Sequence, residues 1–144
     1  MRKMDDQPAE AYTLTVRGRP GYLQDSRGAW KRVLSPNARP HWGSRAEAMR
    51  KDSEAIWAAA RTRGAPPRPP CPFQHASVSV ELVVPVNRRR DAENTLSTLK
   101  GVMDSLVRLG IIVDDDLATI GMPTVTIVVD KARAYEYTVT VEEA

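Results

Sequence analysis

Two carboxylates spaced two residues apart, Asp91 and Glu93, directly follow three consecutive arginines, Arg88, Arg89 and Arg90. If an extended backbone persists there, both carboxylates project from one face. Side-by-side carboxylates raise one another's pKa unless a cation lies between them, and hard oxygen ligands suit magnesium or manganese. Arginines beside such a site fit an anionic substrate. Guanidinium groups grip phosphate oxygens in pairs, while a divalent metal polarises the phosphoryl group and activates water for in-line attack. On spacing alone a solvated strand end is the favoured reading of the carboxylates, and the arginines alone read equally well as a solvated basic turn.

A second acidic group, Asp114, Asp115 and Asp116, follows a short apolar stretch that could return the chain beside the first strand. Three neighbours cannot all point one way. In extended backbone Asp115 faces opposite to its neighbours, so a site there uses either the middle residue or a flanking one. An acidic turn before a strand is the plainer alternative. Lys100, within the helix after the first carboxylates, could stabilise a pentacovalent transition state or a leaving oxygen, or simply face water. Basic residues are concentrated elsewhere: Arg27, Lys31, Arg32, Arg39, Arg45, Arg50 and Lys51 are interrupted by one acid, Glu47. The net charge of +3 conceals this segregation, which suits a polyanion on one stretch and a cation on the other.

The elements that must carry these residues can be read from periodicity. Residues 1–10 are polar, Tyr12 to Val16 alternates as a strand, and Arg17 to Gly28 is a glycine-rich loop leading to an extended piece over Ala29 to Leu34. Ser44 with Glu47 resembles a capping box, which predicts a helix from Arg45 to about Arg63 with Gly64 as its stop. Ala46, Met49, Ile56, Trp57 and Ala60 fall near its apolar face. Five prolines between Ala65 and Phe73 predict an extended connector. Ala76 to Val86 alternates most clearly, Thr95 to Leu109 is helical with a Leu96, Leu99, Met103, Leu106 stripe, and Gly110 ends it. Thr124 to Val129 and Tyr135 to Val141 read as a hairpin. The expected architecture is α+β, a mixed sheet with two helices packed on it, in the order β-β-α-β-α-β-β.

The 144-residue length fits one domain, with 42% hydrophobic content slightly low and 11 prolines pointing to local loose segments. Cys71 is a single cysteine, and with His41 and His75 it has no zinc-finger spacing. No window is long and apolar enough for a membrane span, and the start lacks a signal-peptide core. A cytoplasmic location without a membrane role is expected.

The run Arg90, Asp91, Ala92, Glu93, Asn94, then Leu99, Lys100, Asp104, Leu106, Gly110, Asp114 and Asp115, resembles the RusA family of Holliday-junction resolvases. Its pattern is roughly D-x-D-N, a lysine, D-x-L, a glycine and D-D. Leu34, Ser35, Pro36, Asn37, Ala38 and Arg39, with His41 and Trp42, look like the basic motif of phage members. The likeness spans about Leu34 to Val141, which divides the chain into an N-terminal tail, short strand and glycine loop over 1–28 and a RusA-like domain over 29–144.

The resemblance implies a magnesium-dependent homodimer that resolves four-way DNA junctions by paired incisions. It assigns Asp91, Glu93 and Asp115 as metal ligands, with Asp114 as substitute, and Lys100 as the family lysine. Asn37, Arg39, Arg50, Lys51, Arg88, Arg89 and Arg90 are expected on DNA. Two departures bear on activity. Glu93 replaces the usual aspartate, which favours a softer geometry and manganese. Lys100 lies about three residues further from Asn94 than the shorter motif has it, close to one helical turn. A DNA-binding module without catalysis and a phosphoesterase acting on nucleotides or flaps are the competing readings.

Overall fold

The computed structural model describes residues 11–35, 42–88, 90 and 92–144, with the side chains of 42 and 92–94 left aside. Its elements in chain order are β1 (Ala11–Arg17), β2 (Tyr22–Gln24), β3 (Trp30–Arg32), α1 (Trp42–Arg61), β4 (Ala76–Val84), α2 (Ala92–Ser97), α3 (Lys100–Arg108), α4 (Leu117–Ile120), β5 (Thr124–Val129) and β6 (Glu136–Glu143). The fold is α+β, one domain around a mixed four-stranded sheet.

The sheet order is β1-β6-β4-β5. Strand β6 runs antiparallel to both neighbours, pairing Tyr12 with Val141 on one side and Val80 with Val139 on the other. Strands β4 and β5 are parallel, with Ser79 opposite Thr124. Period-2 alternation gives the sheet two unlike faces. Tyr12, Leu14, Val16, Val78, Val80, Tyr137, Val139 and Val141 are buried and join Ile56 of α1 and Val102 and Leu106 of α3 in one core. Threonines and serines cover the other face, where the Thr15 and Thr138 hydroxyls lie 3.0 Å apart.

Several sequence expectations change. The last two strands are not a hairpin, because β4 lies between them. Alternation marks each segment as a strand but carries no pairing information, and β4, with Val83 and Val84 also buried, takes an interior place. Strand β1, expected as a short strand, is an edge strand of the main sheet, and the glycine loop contains β2, which pairs with β3. Helix α1 starts at Trp42, so Ser44 sits inside it instead of capping it. Its buried positions are Ala48, Asp52 and Ile56, four apart, while Trp57 is 45% exposed and lies under the Arg61 guanidinium.

The second predicted helix is two helices. Thr98 and Leu99 make tight bonds to Thr95 and Leu96, and the turn of chain there is pressed by Gly21, whose Cβ, if it had one, would meet the Thr98 carbonyl oxygen at 2.6 Å. Helix α3 ends as expected at Gly110: with φ +76 it lets its own N–H reach the Val107 carbonyl and that of Ile111 reach Leu106, a Schellman closure. The acidic run adds a further short helix, α4.

Candidate nucleic-acid interface

The proline-rich connector and the acidic run are held together at the start of β4. Phe73 donates to the Ile111 carbonyl at 2.8 Å and accepts from the Val113 N–H at 3.1 Å. His75 Nδ1 lies 3.3 Å from the Ala118 carbonyl. Asp114 to Asp116 therefore sit beside the beginning of β4, exposed to solvent.

The three aspartates differ in what they hold. Asp114 Oδ1 accepts the Asp115 N–H at 2.7 Å. Asp116 caps α4, accepting the Thr119 N–H at 2.9 Å, and the hydrogen bonds from Thr119 lower its pKa. The Asp115 carboxylate is exposed and takes no hydrogen bond or ion pair among the described residues. It is thus the member of the run whose oxygens suit a hard cation. Among the described residues no three His, Cys, Asp or Glu side chains are grouped to hold a metal. Asp91, Arg89, Asn37 and Arg39, and the Glu93 side chain, lie outside the described residues.

A basic and aromatic cleft of about 320 Å³ occupies the opposite end of β4. Leu82, Val83, Val84 and Val86 form its floor, Arg88 and Arg90 enter from the chain after the strand, and Arg19, Tyr22, Trp30 and Arg32 enter from the N-terminal loop and its hairpin. Thr98 and Tyr135 complete the wall. The six residues of β4 before Leu82 separate this cleft from the Asp115 region, about 20 Å at the usual rise.

Local bonds fix the cleft's cations. The Arg90 guanidinium donates back to the carbonyls of Arg88 at 2.7 Å and Val86 at 3.1 Å. Arg19 is held between two rings, 3.7 Å from the Tyr22 centroid and 4.2 Å from that of Tyr135. Burial lowers its pKa; Tyr22 and Tyr135 act in the opposite direction, and the nearby Arg90 and Arg88 lower it again. None of Arg19, Arg32, Arg88 and Arg90 forms a salt bridge among the described residues, and Glu136, the acid on the cleft wall, is already paired with Arg133.

Other expected contacts are otherwise engaged. Lys51 Nζ donates to the Arg19 carbonyl at 2.6 Å and pairs with Asp52 Oδ1 at 2.7 Å, so it braces the loop under the cleft. Arg50 pairs with Glu54 one turn along α1, both exposed. Lys100 is exposed at the first position of α3, two residues beyond Thr98 of the cleft wall. The expected set brings Arg88 and Arg90 together and leaves Asp115 at the far end of the strand.

Spacing does not single out Arg19, Tyr22 and Trp30, whereas Arg32 belongs to the basic stretch expected to meet a polyanion. Their signal is the interleaving of basic and aromatic residues from Arg17 to Arg32, which the glycines and proline of that stretch disguise as a plain loop. Compared with known proteins, the chain matches no family model and no curated protein.

Proposed function

We propose that this protein is a metal-dependent, structure-selective endodeoxyribonuclease that hydrolyses phosphodiester bonds at four-way DNA junctions. The observation that carries the reading is the convergence of Arg19, Arg32, Arg88 and Arg90 in one cleft without a salt bridge among the described residues. Four concentrated cations need an anion of high charge density, and phosphodiester backbones supply one. The arginine pair Arg88 and Arg90 leads directly into the Asp91 and Glu93 segment. The likeness to RusA resolvases supports the junction as substrate.

In this reading Asp91 and Glu93 would hold Mg2+ or Mn2+; the uncommitted carboxylate of Asp115 has the chemistry of a third ligand, but its place beside the start of β4 sets it apart from the arginines that lead into them. A bound ion would supply polarisation of the phosphoryl oxygen and a more acidic water. Arg88 and Arg90 would orient the phosphate, and Lys100 would stabilise the leaving oxygen. The protein acts as a homodimer, because a junction presents two equivalent strands to a two-fold partner. It works in the cytoplasm; no helix among the described residues is long and apolar enough to cross a membrane.

The second reading is a branched-DNA-binding module without catalysis. It is favoured by one observation, the separation of Asp115 from the arginine cleft by the length of β4. One experiment divides them: purified protein is incubated with a labelled four-way junction and Mg2+, beside its Asp91→Asn variant. Paired incisions lost in the variant support the nuclease. Binding without incision supports the module, and cleavage unchanged by Asp91→Asn removes the proposed site.

A further inference from the structure

The arginines of the cleft share it with three aromatic rings, which phosphate binding alone does not require. Trp30 and Tyr135 meet edge to face with centroids 6.1 Å apart at 70°, and Tyr22 carries the Arg19 guanidinium on its face. All three rings are half-buried, so each keeps part of its surface toward the cleft. Its volume of about 320 Å³ is that of a small-ligand pocket. The cleft has two sides: Arg88 and Arg90 come from the end of β4, whereas Tyr22, Trp30 and Arg32, which join rings and charge, come from the β2–β3 hairpin.

Paired duplex bases are stacked on one another and offer no face to an aromatic ring. An unpaired nucleotide offers both a π face and a phosphate, and ring stacking combined with a basic groove is the chemistry by which single strands are held. We infer that the cleft between the β2–β3 hairpin and the end of β4 is a binding pocket for one unpaired nucleotide of a DNA strand, its base against Trp30 and its phosphates on Arg32, Arg88 and Arg90. Arg19, fixed between Tyr22 and Tyr135, closes the pocket from below and adds positive charge without moving. The pocket assigns a role to the segment before Ala29 that the resemblance does not cover. It rests on the DNA-binding part of the proposed function and is independent of cleavage.

The test is a fluorescence anisotropy titration with a labelled oligothymidylate, which stays unpaired, and a blunt duplex of equal length. Wild type binds the single strand more tightly than the duplex. Trp30→Ala weakens single-strand binding about 5- to 100-fold, the range for loss of one base–aromatic stack, and leaves duplex affinity unchanged. Trp30→Phe restores most of the loss. Arg32→Glu, at an exposed position, weakens single-strand binding and flattens its salt dependence, and serves alone if Trp30→Ala does not fold. Equal loss on both DNAs, or single-strand affinity unchanged in the variants, overturns the pocket. Junction cleavage measured on the same variants keeps the two readings apart: intact cleavage with a failed pocket, or a working pocket without cleavage, each sinks one and spares the other.

Discussion

The backbone N–H of Gly21 donates to Asp52 Oδ2 over 2.8 Å, tying the loop after β1 to the buried face of α1. The same carboxylate pairs with Lys51 Nζ through Oδ1 at 2.7 Å. Lys51 in turn holds the Arg19 carbonyl, so one buried acid organises the loop that delivers Arg19 and Tyr22 to the cleft. Gly101 packs against it as well; a Cβ there would approach Asp52 Oδ2 to 2.9 Å.

Gly21 is required twice over. Its φ of +76 is strained for any residue with a side chain, and a Cβ would strike the Thr98 backbone. Gly21→Ala therefore lowers stability by at least about 2 kcal/mol, read as a fall in urea midpoint with unchanged slope. A shift close to zero would show that the loop relaxes freely away from α3.

Asp52 makes stability depend on pH. Burial raises its pKa, with Lys51 and the Gly21 N–H acting in the opposite direction. A carboxyl raised in the folded state binds its proton more tightly folded than unfolded. Its contribution is fully present below the ordinary value of 3.8 and is lost as pH rises through the raised folded value. Asp52→Asn keeps an acceptor for Gly21 and removes this dependence. The stability difference between Asn variant and wild type should grow in the variant's favour from mild acid toward neutrality; parallel pH curves would contradict the assignment.

Tyr137 is 1% exposed and its hydroxyl has no hydrogen-bond partner among the described residues. Burial, followed by the charge of Asp52, pushes its pKa well up, which keeps it neutral. Tyr137→Phe leaves the ring packing in place and removes an unpaired polar atom, so it is neutral or stabilising by up to about 2 kcal/mol. Thermal unfolding reads this directly, and a loss of stability would reveal a partner for the hydroxyl.

Junction affinity should fall steeply with salt, and Arg88→Ala should reduce the slope of log affinity against log salt by about one, as for loss of a single phosphate contact. Lys51→Ala acts differently. Because that ammonium braces the Arg19 loop, its removal lowers stability as well as affinity, and a protein that keeps its unfolding midpoint would show the brace to be dispensable.

Asp115 offers a test of the metal reading that is separate from DNA binding. Loss of Mg2+-dependent incision in Asp115→Asn, with junction affinity intact, would put Asp115 at the ion despite its distance from the cleft, whereas Asp116→Asn should keep incision, because Asp116 is occupied as the cap of α4. Equal effects at both positions would mean that the run acts through its net charge.

The identity of most elements was legible in the sequence because it is local. Alternation from Ala76 onward marks β4, and Gly110 ends α3 where a positive φ is needed. Asp114 and Asp116 are committed as backbone acceptors through short-range geometry, a difference within the run that three identical residue types do not reveal. Pairing and convergence are not local. That β4 separates β5 from β6, that Asp52 is buried on an otherwise apolar helix face, and that Arg19, Trp30 and Arg88 meet, all depend on contacts between segments far apart in the chain. Periodicity records which side of an element is apolar, not which element will cover it. The sequence by itself determined where the longer strands and helices lie and which residues have the chemistry for phosphate and metal, because both are local properties. Tertiary packing alone decided that the arginines share a cleft with aromatic rings at one end of β4 while Asp115 stands at the other.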